Sequence, residues 1–244
     1  VAVPMPGYRE HGHAWQRAGF DVVGISAEQA LADDLGWLDT VDVVVWINPN
    51  NPTGQVLLPE RLLAWRERLE RHGGWLVVDE AFMDTTPEFS VCADVGLPGL
   101  TILRSLGKFY GLAGVRAGSV LSDTSITELL QSVFGPWALG GPARYVMALA
   151  LADTEWQDQT RARLQQEVKK LSDILDAAGL ALLGGTAQFQ TVSTEDSQLL
   201  ADRLAAQGGL VRAFDNPRML RFGLAGDDGQ WRRLEAALAV ATSD

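Results

Sequence analysis

Lysine is scarce in this chain, three residues against 17 arginines, so each lysine is informative. Lys169 and Lys170 fall on the polar face of a helical stretch, where water is their natural partner. Lys108 differs. It stands in Arg104-Ser105-Leu106-Gly107-Lys108-Phe109-Tyr110-Gly111, between glycines and aromatics and just after an apolar run. The carboxyl end of a parallel strand is where open α/β sheets place their ligands. Desolvation in such a place favours a neutral amine, which can form a Schiff base with a carbonyl. Taken alone, a lysine there is an exposed loop residue. Its neighbours argue otherwise. Asn48-Pro49-Asn50-Asn51-Pro52-Thr53-Gly54 follows one apolar run, Asp79-Glu80-Ala81-Phe82 ends another, Ser105 and Lys108 follow a third, and Arg116 precedes the next. An amide, a carboxylate, a hydroxyl, an amine and a guanidinium thus gather at successive strand ends.

The elements that must position these groups are short apolar runs at 43–47, 75–78, 100–103 and 118–121, with a polar-faced helix over 59–71 between the first two. Strands apolar on both faces and joined by helices predict a mostly parallel α/β sheet covered on both sides. From 141 to 178 the pattern turns helical and nearly continuous until Gly179 stops it, which predicts a connecting helix. Strand-like pieces at 188–192, 210–214 and 219–224 then alternate with helical ones at 197–207 and 230–241, as in a small C-terminal α/β domain. The expected division is a large domain over 1–140 and a connecting helix with a small domain over 141–244.

Together and in this order, the residues resemble the fold-type I enzymes that use pyridoxal 5′-phosphate, the family of aspartate and histidinol-phosphate aminotransferases. The resemblance implies a role for each matching position. Lys108 would bind the cofactor covalently, and Asp79 would keep its pyridine nitrogen protonated. Asn51, in Asn-Pro-Thr-Gly, would bond the phenolic oxygen. Ser105 and Arg116 would hold the cofactor phosphate, which suits a planar guanidinium fork. Tyr8, in Pro6-Gly7-Tyr8, would stack on the ring. Arg221, in Leu220-Arg221-Phe222-Gly223-Leu224, would clamp the substrate carboxylate, and Arg212 a substrate phosphate. Glu80, Asp84, Cys92 and the three histidines read as ordinary surface or packing residues.

Two departures shape the functional expectation. Phe82 stands where most aminotransferases of this family have tyrosine. With the Gly107-Lys108-Phe109 context and Gly135-Pro136-Trp137-Ala138, it makes the chain look like the threonine-phosphate decarboxylase branch, whose members serve cobalamin biosynthesis. Amino transfer on a phosphorylated substrate such as histidinol phosphate stays open as an alternative, as does a non-catalytic relative of the fold. Family members are also longer at the amino end. The resemblance therefore implies a chain that starts partway through the pattern, lacking the first helix of the large domain, a glycine-rich phosphate turn and part of the dimer contact.

Bulk properties narrow the partners. The 244 residues, 47% of them hydrophobic, can bury a substantial core. A net charge of -11 with no basic stripe argues against nucleic acid. One cysteine, Cys92, and three scattered histidines offer neither an internal disulfide nor metal-ligand spacing. No apolar run is long enough for a membrane span, and the start lacks the basic flank of a signal peptide. These properties leave a cytoplasmic protein with a small-molecule partner as the expectation, and the resemblance implies a homodimer acting on a small phosphorylated amino acid.

Overall fold

The computed structural model describes residues 1–243, which fall into two compact units. One comprises Val1–Asn51 with Gln55–Thr154, the other Pro52–Gly54 with the described residues from Glu155 onward. The break before Glu155 lies later than the expected boundary at 140/141.

The first unit is built on six strands: β1 (Ala2–Pro4), β2 (Val23–Ile25), β3 (Val43–Ile47), β4 (Trp75–Asp79), β5 (Leu100–Ser105) and β6 (Gly118–Ser122). Their spatial order is β2-β1-β3-β4-β5-β6. The first five run parallel, and β6 is antiparallel to β5. A parallel return needs a crossover, usually a helix. Here the β5–β6 connection is spent on the Lys108 loop and one 3-10 turn at Ala113–Val115, so the chain comes back the short way.

Helices α1 (Arg9–Arg17), α2 (Ala27–Leu31), α3 (Pro59–Glu70), α4 (Thr124–Phe134) and α5 (Gly141–Ala152) complete the unit. Pro59 opens α3 at a position where its missing N–H costs nothing. Leu62, Trp65 and Leu69 then recur at helical spacing and are fully buried. They pack with Val44, Trp46, Leu76, Val78, Leu100 and Ile102 of the central strands in one core. Each large side chain buried this way contributes about 1.5–3 kcal/mol relative to exposure, which makes β3, β4 and β5 the rigid part of the unit.

The second unit has helices α6 (Thr154–Ala177), α7 (Ser197–Ala206) and α8 (Asp228–Ala241) and an antiparallel sheet of β7 (Leu182–Thr186), β8 (Phe189–Ser193), β9 (Arg212–Asp215) and β10 (Arg218–Gly223), in the order β7-β8-β10-β9. Leu164, Val168, Leu171 and Leu175 form the buried stripe of α6. Asp196 and Asp227 cap α7 and α8 through the amides of Leu199 and Gln230. The predicted single helix over 141–178 is in fact two, because α5 ends at Asp153, whose backbone leaves the helical region.

Candidate active site

The first cluster forms where β4 ends. Asp79 is the last residue of that strand, and its carboxylate is fixed at both oxygens. Nε2 of His11 donates to Oδ2 at 2.7 Å, and the amide of Ala81 donates to Oδ1 at 2.9 Å. His11 rides on the first turn of α1, and the ring of Tyr8, just before that helix, meets it edge-on at 5.8 Å. Tyr8 is half exposed. Gly7 allows this approach: a Cβ there would lie 2.4 Å from the Pro4 carbonyl oxygen.

The loop after β3 is tied to the same region by backbone and amide bonds. The Asn48 amide donates to the Asp79 carbonyl at 2.9 Å, continuing the ladder past the strand ends. The buried Asn48 side chain brackets Leu57, donating to its carbonyl and accepting from its amide. Asn50 donates to the Pro6 carbonyl at 2.9 Å, which joins this loop to the segment carrying Tyr8. Asn51 is partly buried in the turn between these anchors.

At the end of β5, Ser105 turns its hydroxyl back to accept from the amide of Gly107 at 3.1 Å. Lys108 follows with its Nζ 5.4 Å from the centre of the Phe82 ring, a distance at which an aromatic face attracts a cation. Phe82, Phe109 and Tyr110 are buried, whereas Lys108 is exposed. The expected desolvation of the lysine is therefore not found; its apolar neighbours flank it without enclosing it. Arg116 adopts a left-handed backbone (φ 55°) and is exposed, its guanidinium bonded to the Ala113 carbonyl at 3.4 Å.

In the second unit Arg221 of β10 and Arg212 of β9 are direct cross-strand partners. Each lies over an aromatic ring, Arg221 over Phe189 at 5.2 Å and Arg212 over Phe214 at 5.9 Å. Burial, and then the charge of Arg212, pull the Arg221 guanidinium below its ordinary value. Like charges directly opposite on a sheet are destabilising, and the lowered Arg221 value reflects this in part.

Sequence reasoning passed over His11, although its position three residues after Tyr8, at helical spacing, was a usable signal. It also passed over the charges behind the strand ends: Glu80 is buried against Arg104, which bonds Asp84 as well. No group of His, Cys, Asp or Glu suited to a metal ion occurs among the described residues.

The family model for aminotransferase class I and II matches residues 1–238. A threonine-phosphate decarboxylase of Pseudomonas aeruginosa is 46% identical over 238 residues, covering 98% of this chain and 71% of that protein. One from a Sinorhizobium species is 40% identical over 242 residues, covering 98% and 70%. Among solved structures, a Sinorhizobium meliloti histidinol-phosphate aminotransferase in complex with pyridoxal-5′-phosphate superposes with a TM-score of 0.89 at 23% identity, over 99% of this chain and 70% of that one. The chain belongs to the class I and II aminotransferase family.

Proposed function

We propose that the protein is a pyridoxal phosphate-dependent decarboxylase that converts L-threonine O-3-phosphate to (R)-1-amino-2-propanol O-2-phosphate and carbon dioxide. The observation that carries this reading is the 46% and 40% identity, across 98% of the chain, to two proteins named threonine-phosphate decarboxylase. Phe82, in place of the family's usual tyrosine, supports decarboxylation over amino transfer.

The donor set fits the cofactor. A carboxylate fixed at both oxygens, an amine, a hydroxyl and a guanidinium stand at or just beyond the ends of β4 and β5. When bound, pyridoxal phosphate supplies an electron sink for the carbon that loses its carboxylate. Asp79, oriented by His11 and the Ala81 amide, would hold a proton on the pyridine nitrogen. Asn51 would donate to the phenolic oxygen, Tyr8 would cover the ring, and Ser105 with Arg116 would bind the phosphate. Lys108 would attach the cofactor through its amine and later deliver a proton to the α-carbon.

Arg221 is assigned to the substrate carboxylate and Arg212 to the substrate phosphate. Arg221, by holding the substrate carboxylate, would select the Cα–carboxylate bond as the one that breaks. Atoms balance: the Cα–carboxylate bond breaks, carbon dioxide leaves, and a proton replaces it.

The finer reading is a cytoplasmic homodimer serving cobalamin biosynthesis. Among the described residues no helix is long and apolar enough to cross a membrane. Leu129, Val133 and Phe134 of α4 and Tyr145 and Leu149 of α5 stand exposed, which supports a second copy covering them.

The deciding experiment supplies the purified enzyme with pyridoxal phosphate and carboxyl-labelled threonine phosphate. Release of labelled carbon dioxide with formation of aminopropanol phosphate supports the proposal. A keto product formed with an amino acceptor, without carbon dioxide, hands the case to a phosphate-substrate aminotransferase.

A further inference from the structure

One buried charge cluster takes no part in the chemistry above. Glu80, the residue after Asp79, is fully buried. Its carboxylate accepts from Ser90 Oγ at 2.6 Å, the Val91 amide at 2.8 Å, Arg104 Nη1 at 2.9 Å and the Cys92 thiol at 3.5 Å. Arg104, the residue before Ser105, bonds the buried Asp84 through Nη2. Desolvation alone would weaken the charge of Arg104, but Asp84, Cys92 and Glu80 hold its pKa above the ordinary arginine value.

Charge taken out of water in this way is a poor route to stability, since apolar side chains of similar volume often serve as well or better. Position gives the cluster its meaning. Neighbouring residues of an extended chain face opposite ways, so Glu80 backs Asp79 and Arg104 backs Ser105. The Glu80 amide donates to the Leu103 carbonyl at 2.9 Å, so the ion pair spans two chains already joined by the ladder. On its other side, β6 closes on the Arg104 backbone so tightly that a Cβ at Gly118 would lie 2.7 Å from the Arg104 carbonyl oxygen. Arg104 thereby links the ends of β4 and β5, which carry Asp79 and Ser105, and lies against β6, the strand that begins two residues after Arg116.

We propose that Arg104, gripped by Glu80 and Asp84, is a positioning residue that fixes the end of β5, with Ser105 and the Lys108 loop, against the Asp79 end of β4. The inference rests on the pyridoxal phosphate reading. It states that the geometry of the cofactor-binding residues depends on the ion pairs themselves, beyond their effect on folding.

The test compares wild type, Arg104→Met, Arg104→Lys and a charge-free triple variant, Glu80→Gln with Asp84→Asn and Arg104→Met. Three quantities are measured: the dissociation constant for pyridoxal phosphate, kcat and KM for threonine phosphate, and the melting temperature. Arg104→Met is expected to lose roughly tenfold in cofactor affinity and about 100-fold in kcat, the scale for a small misplacement of reacting groups, with KM nearly unchanged. Arg104→Lys should recover part of the loss. The triple variant, with no unpaired buried charge, should regain melting temperature but neither cofactor affinity nor kcat. If affinity and kcat return together with melting temperature, the cluster is only structural and the inference falls. Should Arg104→Met fail to fold, Arg104→Lys and Ser90→Ala, which removes one donor from Glu80, make the same comparison, and wild-type affinity in both would overturn it. A wild type that takes up no pyridoxal phosphate sinks the functional reading first. A wild type that binds and turns over beside unaffected variants sinks this inference alone.

Discussion

Nε2 of His11 lies 2.7 Å from Oδ2 of Asp79, across 68 positions of sequence. The imidazole comes from α1 and the carboxylate from the end of β4, so the bond joins a helix to the rigid centre of the sheet. It leaves Oδ1 for the Ala81 amide, and together these two contacts set the plane of the carboxylate. A carboxylate so held can face a pyridinium nitrogen without reorganising, the condition under which electrostatic stabilisation is worth most.

Replacing Asp79 with alanine should therefore cost decarboxylation on the order of 10²- to 10³-fold or more, while Lys108 still captures the cofactor. His11→Ala keeps the carboxylate and loses only its orientation, so its loss should be clearly smaller. Steady-state kcat for both variants, with cofactor content measured in parallel, checks the order. Near-normal turnover in Asp79→Ala would remove Asp79 from the chemistry altogether.

Lys108 is exposed, with an aromatic face below its ammonium, so its amine is accessible to a carbonyl from solvent. In Lys108→Ala, borohydride reduction of the cofactor-loaded protein should leave no pyridoxyl group on the chain, where wild type carries one on the peptide containing residue 108. Mass spectrometry of the digested protein reads this directly. A pyridoxyl adduct at Lys169 or Lys170 in wild type would place the chemistry elsewhere.

Cys92 titrates opposite to a reactive cysteine. Burial pushes its thiol up, and the neighbouring Glu80 charge adds to this against the opposing effects of Ser90 and Arg104. A raised pKa in the folded state means that the native protein holds the proton more tightly than the unfolded chain. This contribution to stability is present below the ordinary thiol value, about 8.5, and is lost as pH rises through the folded value. Iodoacetamide should accordingly label Cys92 slowly at neutral pH, with the rate climbing only in alkaline buffer. Rapid labelling at pH 7 would show a thiolate that the structure does not provide for.

What the sequence made legible follows from burial. The strands β3, β4 and β5 start as runs of almost wholly apolar residues, whichever face each side chain takes, so they were legible, and Asp79 and Ser105 at the ends of β4 and β5, with Lys108 just beyond β5, were singled out with them. The three-residue strands β1 and β2 are too short to show a pattern. The strand β7 contains Gly184 and Gly185, of which Gly184 has φ 153° and approaches the Thr53 carbonyl too closely for a Cβ, so its glycines read as a loop. Glu80, Asp84 and Arg104 are charged, and charge reads as surface until coordinates show the partners. His11 lay in a helix with no buried residue, where nothing but spacing marked it.

Arg212 and Arg221 give the sharpest test of substrate class. They face each other across β9 and β10, where like charges on directly opposite residues repel. If each grips one anion of the substrate by charge-assisted bonds of about 1.5–3 kcal/mol, removing one should weaken selection for its own anion by roughly 10- to 100-fold in kcat/KM. Arg212→Ala should then blunt the preference for threonine phosphate over threonine, and Arg221→Ala should slow both substrates alike. Because Arg212→Ala also relieves the repulsion, its melting temperature should hold or rise, whereas loss of a structural arginine would lower it. Unchanged discrimination between threonine phosphate and threonine, together with a lower melting temperature, would show that Arg212 braces the sheet and binds no phosphate.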